Sequence, residues 1–137
     1  LIGSLVFAAK RGVDVSILMP HIPDKKYAFI LAHTYYPQLL AAGVKIYEFT
    51  PGFIHAKVFV SDDEKAVVGS INLDFRSLYH HFECAVYLYR SPAIADVERD
   101  FQDTRSRCQP VSMEDCRRRP LRQKAAGWAL RLIAPLM

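Results

Sequence analysis

Hydrophobic and polar positions along the chain follow two periods, one typical of helices and one typical of strands. Apolar residues recur at helical spacing over residues 2–10 and 27–42, and each of these segments ends at a glycine. A short strand pattern follows each glycine, over residues 13–19 and 44–49. Pro37, near the middle of the second helical segment, predicts a kink or a break there. The repeated order of helix, glycine and strand predicts a sheet with parallel strands covered by helices.

The second half of the chain continues both patterns. Residues 54–60 alternate as a strand does, residues 66–68 form a second short apolar run, and residues 82–89 are rich in β-forming side chains. Residues 91–108 have helical spacing, and a last helix follows Pro120. We therefore expect an α/β fold with a mixed, largely parallel central sheet and helices on both of its faces.

Composition fits one globular domain, and charge divides it into two regions. The chain has 137 residues, of which 51% are hydrophobic and 23% charged, which suffices for a sizeable core. Residues 1–104 hold 10 Lys and Arg against 12 Asp and Glu, whereas residues 105–137 hold 8 against 2. We predict a catalytic half-domain over residues 1–108 and a basic amphipathic tail over residues 109–137.

The last helix carries an apolar stripe formed by Leu121, Ala125, Trp128 and Leu132. A basic helix of this kind either lies on an anionic bilayer surface or packs on its own domain with a solvated basic face. The sequence has no stretch of about 18 apolar residues that could span a membrane. The three cysteines lack the spacing of metal ligands, which favours reduced thiols in a cytosolic compartment.

His55 and Lys57 are the first candidates for chemistry. They are two residues apart in a predicted strand, so their side chains point to the same side. An imidazole can attack phosphorus or shuttle a proton, and an ammonium group can neutralise the non-bridging oxygens of a phosphate. This pair therefore suits a phosphate diester. His21, in the loop after the first strand, is either a ligand contact or an ordinary exposed histidine.

Four further polar or small residues follow the pair at fixed spacing. Asp62 comes at the end of the predicted strand, and Gly69 lets the backbone approach a ligand closely. Ser70 and Asn72, again two residues apart, offer hydroxyl and amide donors to the same anion.

These residues resemble the signature of the phospholipase D superfamily, H-x-K-x4-D-x6-G-S-x-N, at every fixed position. The resemblance implies that Glu83, rather than Asp62, hydrogen-bonds the second nitrogen of the catalytic histidine. The segments A-G-V-K-I-Y-E-F-T-P-G-F-I-H-A-K, N-L-D-F-R-S and R-L-I-A-P-L-M are similar to the C-terminal half of bacterial cardiolipin synthases. His81 departs from the asparagine that many of these enzymes carry there.

The resemblance implies a two-step phosphatidyl transfer without a metal or another cofactor. One histidine attacks phosphatidylglycerol and releases glycerol, and a second phosphatidylglycerol then takes the phosphatidyl group, giving cardiolipin. The catalytic set is His55, Lys57, Asp62 and Glu83, and His55 is either the nucleophile or the general acid. Lys57, Ser70 and Asn72 bind the phosphate oxygens.

The chain has one such motif, whereas the resemblance implies two in a complete site. We therefore expect a fragment that is inactive alone and is completed by a missing N-terminal half with a second motif, or by a second copy. The fragment itself is expected to be soluble, and the parent protein to act at the cytoplasmic face of the cell membrane.

Two alternatives remain open. One is a homodimeric phosphodiesterase or nuclease with a single motif, in which the basic tail follows nucleic-acid phosphates. The other is a non-catalytic module that binds anionic lipid. The preferred interpretation involves phosphatidylglycerol and an anionic membrane surface, and no nucleic acid.

Overall fold

A computed structural model describes residues 1–136 of the protein. The helices are α1 Ile2–Lys10, α2 Lys26–His33, α3 Tyr36–Ala41, α4 Ala93–Ser106, α5 Met113–Arg118 and α6 Leu121–Ile133. The strands are β1 Ser16–Pro20, β2 Lys45–Phe49, β3 Val58–Ser61, β4 Lys65–Gly69, β5 Ala85–Tyr89 and β6 Cys108–Pro110, and a π-helical segment covers Arg76–His80. The chain forms two compact units, one of residues 1–54 with 108–135 and the other centred on residues 55–107.

The first unit contains a three-stranded sheet in the order β1-β2-β6. Strands β1 and β2 are parallel, with Ser16 opposite Lys45 and Pro20 opposite Phe49, whereas β6 is antiparallel to β2. The parallel pair is the one that the repeated helix, glycine and strand unit predicts. The core of the first unit is built from residues of α3, β2 and α5 and of the chain leading into β2, namely Tyr36, Leu39, Val44, Ile46 and Cys116.

The helical segment over residues 27–42 is broken, as Pro37 predicts. Helix α2 ends at His33, and α3 begins at Tyr36 with Pro37 in its first turn. A proline is tolerated at this position because the first N–H groups of a helix have no partner within the helix. Gly43, with φ +94°, then ends α3 and leads into β2.

The second unit contains a three-stranded antiparallel sheet in the order β3-β4-β5. Residues 62–64 form the turn between β3 and β4, and Asp62 and Asp63 both have φ +55° there. Helix α4 packs on this sheet, and its Ile94 is almost completely buried.

The mixed α/β class is confirmed, but strand direction differs from the expectation of a largely parallel central sheet. The described strands lie in two sheets, and only β1 and β2 pair in parallel. The connection from β3 to β4 has three residues, which allows a hairpin but not the crossover that a parallel pair needs. Strand β6 was not predicted, because a three-residue strand that ends in a proline leaves no periodic pattern.

Helix α6 packs against α2 through the side of the helix that contains Gly127. A Cβ atom at Gly127 would lie 2.4 Å from Cγ2 of Thr34, so the two helices approach too closely there for any larger residue. Residues 108–135 are therefore part of the first unit, and the functional division at residue 108 stays a prediction. Within residues 1–136, no helix has both the length and the apolar character that crossing a bilayer requires.

A buried carboxylate joins α2 to β2 in the first unit. Glu48 is 8% exposed; its Oε1 accepts a hydrogen bond from Nε2 of His33 and its Oε2 accepts one from Nδ1 of His21, both at 2.8 Å. Burial alone would raise the pKa of Glu48, but the hydrogen bonds from His33 and His21 outweigh it and lower that pKa to about 2. The carboxylate is therefore ionised at neutral pH.

We expect Glu48→Gln to lower the free energy of unfolding at pH 7 by roughly 3 kcal/mol, the linkage value of a pKa lowered by this amount. A lowered pKa stabilises the fold above the unfolded-state value of 4.5, and this contribution is lost as the pH falls toward about 2. Urea unfolding between pH 7 and pH 3 should therefore show that the free energy of unfolding falls less with decreasing pH in the variant than in the unaltered protein. Asp14→Asn, which breaks the exposed pair with Lys45, is the control and should change stability by less than about 1 kcal/mol. Equal losses in the two variants would contradict the role of Glu48.

Candidate active site

His55, Lys57, Gly69 and Ser70 of the motif lie toward one end of the sheet of the second unit. His55 and Lys57 lie in extended chain immediately before β3. The N–H of Gly69 donates to the carbonyl of Lys57 at 3.2 Å, and Gly69 pairs with Ala85 on β5. The segments that carry Lys57, Ser70 and Glu83 are therefore adjacent at this end.

Ser70 connects β4 to the chain entering β5 through backbone and side chain together. Its N–H donates to the carbonyl of Cys84 at 2.9 Å, and its Oγ accepts from the N–H of Cys84 at 3.1 Å. The same hydroxyl donates to Oε2 of Glu83 at 2.5 Å. The predicted phosphate ligand Ser70 and the predicted acidic residue Glu83 are thus in direct contact.

Glu83 is held in its ionised form at this site. Hydrogen bonds from Ser70 and Ser77 lower the pKa of Glu83, and the charges of His81 and Lys57 lower it further. A carboxylate in this state accepts hydrogen bonds only, which is the state needed to orient an imidazole N–H. The hydrogen bond from Glu83 to His55 stays a prediction.

His55 is exposed, and Lys57 is held close to it. The Nζ atom of Lys57 donates to the backbone carbonyl of His55 at 2.6 Å, which holds the ammonium group against the main chain of His55. Asn72 is also exposed, and within residues 1–136 its side-chain amide makes no hydrogen bond. The segments that carry this imidazole, ammonium group and amide adjoin the same end of the sheet, and all three groups are of the kind that binds an anion.

Asp62 lies at the opposite end of the hairpin. The β3 and β4 register runs from Val58 opposite Val68 to Ser61 opposite Lys65, and Asp62 follows in the turn. At about 3.3 Å per residue along a strand, the turn is on the order of 15 Å from Lys57. The Oδ2 atom of Asp62 accepts from the hydroxyl of Ser61 at 2.9 Å. The structure therefore does not bring Asp62 to the other predicted catalytic residues, and its position suits turn formation.

Ser77 belongs to the site but was not among the predicted residues. It is buried in the π-helical segment, and its hydroxyl contributes to the lowered pKa of Glu83. The side chain of Asp74 accepts from the N–H of Ser77 at 2.7 Å and orders the start of this segment. Asp and Ser three residues apart in N-L-D-F-R-S are the sequence signal that predicts such a cap.

His81 also has a defined partner next to this segment. Nε of Arg76 donates to Nε2 of His81 at 2.5 Å. Within residues 1–136, no three His, Cys, Asp or Glu side chains are grouped in a way that would hold a metal ion.

Comparison with known proteins places this geometry in a family. The family model described as "Cardiolipin synthase, PLD-like domain" matches residues 1–105 of the chain. The chain belongs to the phospholipase D superfamily. The resemblance carried by the six motif residues is thereby confirmed.

Relatives of this phospholipase D-like chain are substantially longer than it. It is 40% identical over its whole length to a cardiolipin synthase of Geobacillus kaustophilus, and it covers 27% of that protein. It is 56% identical over 98% of its length to an uncharacterized protein of Streptococcus mutans, of which it covers 29%. The chain therefore spans less than a third of these relatives.

A solved structure supports the phospholipase D fold. The phospholipase D family member Nuc from Salmonella typhimurium matches with a TM-score of 0.69 and 25% identity, over 80% of this chain and 72% of that one. The α/β architecture described above is thus similar to that of a known member of the family.

Gly69 of the phospholipase D motif has no room for a side chain. A Cβ atom there would lie 2.3 Å from the carbonyl oxygen of Cys84 and 2.6 Å from Cα of Ala85, both of them backbone atoms. We expect Gly69→Ala to lower the free energy of unfolding by about 2 kcal/mol, because β4 and β5 must separate where Ser70 contacts Glu83. Chemical unfolding measures this change. Gly52→Ala is the matched control, since nothing lies within 4 Å of a Cβ atom there, and comparable losses in both variants would contradict the account.

Proposed function

We propose that this chain supplies one half of a phosphatidyltransferase site that makes cardiolipin and glycerol from two molecules of phosphatidylglycerol. The observation that carries the proposal is the cluster at one end of the β3-β4-β5 sheet, where exposed His55 lies beside Lys57 and ionised Glu83 contacts Ser70. The similarity to cardiolipin synthases over the whole chain supports the choice of substrate.

Each step of the proposed transfer forms one bond to phosphorus and breaks another. In the first, an imidazole nitrogen attacks the phosphodiester, and the bond from phosphorus to the glycerol oxygen breaks as a second histidine protonates that oxygen. In the second, a hydroxyl of another phosphatidylglycerol attacks phosphorus after losing its proton to the second histidine, and the bond to nitrogen breaks. His55 takes one of these two roles.

The other residues of the cluster stabilise charge. Lys57 and the free amide of Asn72 bind the non-bridging oxygens, where negative charge increases in the transition state. Glu83 orients the imidazole of His55 and stabilises its protonated form. Ser70 positions Glu83 through the hydrogen bond seen here, and its hydroxyl turns to the phosphate when substrate binds.

The second histidine comes from outside this chain. We propose that it belongs to a further motif in a longer protein, in line with the length of the relatives. A second copy of the chain is the alternative source.

The test uses the full-length protein that contains this chain, incubated with phosphatidylglycerol vesicles. The proposal predicts glycerol and cardiolipin in equal molar amounts. A parallel incubation with supercoiled plasmid tests the alternative of a single-motif nuclease, for which the structural similarity to Nuc over most of that chain is the supporting observation. Plasmid cleavage without cardiolipin formation would contradict the transferase proposal and support the nuclease alternative. Lipid binding without either product would support the non-catalytic module.

We also propose that α6 contacts an anionic membrane surface. The predicted apolar stripe does not face its own unit: Leu121, Trp128 and Leu132 are 81%, 62% and 84% exposed. Arg122 and Arg131 lie on the same helix, and residues 105–137 carry a net positive charge. An exposed apolar stripe with basic neighbours suits the interface of an anionic bilayer.

Trp128 is the only tryptophan of the chain and therefore reports on this contact. Vesicles that contain phosphatidylglycerol should shift its fluorescence to the blue, and brominated acyl chains should quench it. Leu132→Glu should weaken vesicle binding by at least about tenfold, the effect of losing one buried leucine. Gln123→Glu, an equal change of charge at an exposed position outside the stripe, should weaken it much less. Equal losses of vesicle binding in the two variants would exclude the contact, as would Trp128 fluorescence that does not change when vesicles are added.

A further inference from the structure

His21 is held in a fixed orientation at the carboxyl ends of the two parallel strands. It follows Pro20, the last residue of β1, and its backbone N–H donates to the carbonyl of Phe49 at 3.2 Å. Its Nδ1 lies 2.8 Å from Oε2 of Glu48 on β2. In α/β sheets, the carboxyl ends of parallel strands are where ligand-binding groups lie.

The neighbouring His33 uses both of its ring nitrogens within the protein. Its Nδ1 lies 2.6 Å from the carbonyl of Phe29, which can only accept, so this nitrogen carries a proton. Its Nε2 lies 2.8 Å from Oε1 of Glu48, and an ionised carboxylate also only accepts. Both nitrogens of His33 are therefore engaged, and its buried ring has none left for a ligand.

Arg119 brings a permanent cation to the same carboxylate. Its guanidinium lies 3.7 Å from Oε1 of Glu48, and its side chain is 26% exposed. Arg119 is therefore close to the same carboxylate that holds His21.

The outer nitrogen of His21 is the part of this group that the protein leaves unused. The His21 side chain is 53% exposed, and within residues 1–136 its Nε2 has no hydrogen-bond partner. The link between α2 and β2 is already made by His33, so the exposed imidazole is not needed for that link. An ionised carboxylate behind Nδ1 fixes the orientation of the ring and leaves Nε2 for a ligand.

We propose that His21 and Arg119 form a second phosphate-binding site in the first unit, in addition to the site at His55. Nε2–H of His21 donates to one phosphate oxygen, and the guanidinium of Arg119 donates to others. Lys25 and Lys26, both exposed at the start of α2, add to the attraction of an anion. The ligand is a phosphate mono- or diester, either free in solution or in a lipid headgroup.

Binding is measured by NMR of the histidine ring C–H signals in the 137-residue protein at constant ionic strength. Inorganic phosphate, glycerol phosphate and phosphatidylglycerol vesicles are titrated separately, with phosphatidylcholine vesicles as the neutral control. The proposal predicts a saturable shift of the His21 signals that is absent with chloride. Saturation by the soluble esters identifies a free phosphate ester as ligand, and saturation by phosphatidylglycerol vesicles alone identifies a headgroup.

Two variants make the test specific. Arg119→Lys keeps the positive charge but loses the paired N–H donors, and should weaken binding by about fivefold or more. His21→Gln changes an exposed side chain and removes the His21 signals, so binding to this variant is measured through the signals of neighbouring residues. These signals should show no saturable shift. His21 signals that move no more than those of His80 in the second unit would overturn the proposal, as would unchanged affinity in Arg119→Lys. Because no turnover is measured, this result is independent of the proposed transferase activity.

Discussion

His55→Ala is expected to reduce cardiolipin formation by the full-length protein by about 10³-fold or more. Whether the imidazole attacks phosphorus or transfers the proton, its loss removes a group that takes part in bond making and breaking. Glycerol release and cardiolipin formation from phosphatidylglycerol vesicles measure the effect. Because His55 is exposed, the variant should unfold at the same denaturant concentration as the unaltered protein.

His80→Ala is the control for this change, since His80 is also an exposed histidine of the second unit. It should retain activity within a few-fold. Retained activity in His55→Ala, or equal losses in both variants, would show that the chemistry does not depend on the motif histidine.

Lys57→Ala is expected to lower kcat by about 10² to 10³-fold, with a smaller change in KM. Its ammonium group stabilises phosphate oxygens most strongly in the transition state, when their negative charge is greatest. Steady-state kinetics with phosphatidylglycerol in mixed micelles separate the two constants.

Lys65→Ala is the matched control, because Lys65 is an exposed lysine at the far end of the same hairpin. Its activity should change by less than about twofold. A loss in Lys57→Ala confined to KM would instead mean that Lys57 contributes equally to ground-state and transition-state binding.

Local sequence signals predicted the elements well where one principle dominated. Helix α1, the break at Pro37 and the parallel pairing of β1 with β2 follow from apolar spacing, proline geometry and the repeated glycine. The π-helical segment over residues 76–80 and strand β6 were missed. Both are short, and β6 depends on pairing with the distant strand β2, which apolar periodicity does not record.

The site residues stay a prediction, and the structure adds where each of them lies. His55, Lys57, Ser70 and Glu83 meet at one end of a sheet, but Asp62 does not, because the hairpin turns between them. A motif spacing does not show on which side of a turn each residue falls.

For the apolar stripe on α6, the sequence identified the residues but not whether they are buried. A helical apolar pattern was compatible with burial or exposure, and the close approach at Gly127 decided which side of the helix faces α2. Pattern alone identifies an apolar face, whereas small residues on the other face determine its orientation.

A covalent phosphatidyl-histidine is the central claim of the proposed mechanism, and a quench experiment tests it most directly. Full-length protein is mixed with phosphatidylglycerol labelled at phosphorus, quenched in base within one turnover, and digested for peptide mapping. We predict label on a motif histidine that is stable in base, released in acid, and absent when that histidine is replaced. Cardiolipin forming at the normal rate while no histidine carries label at any time would contradict the account.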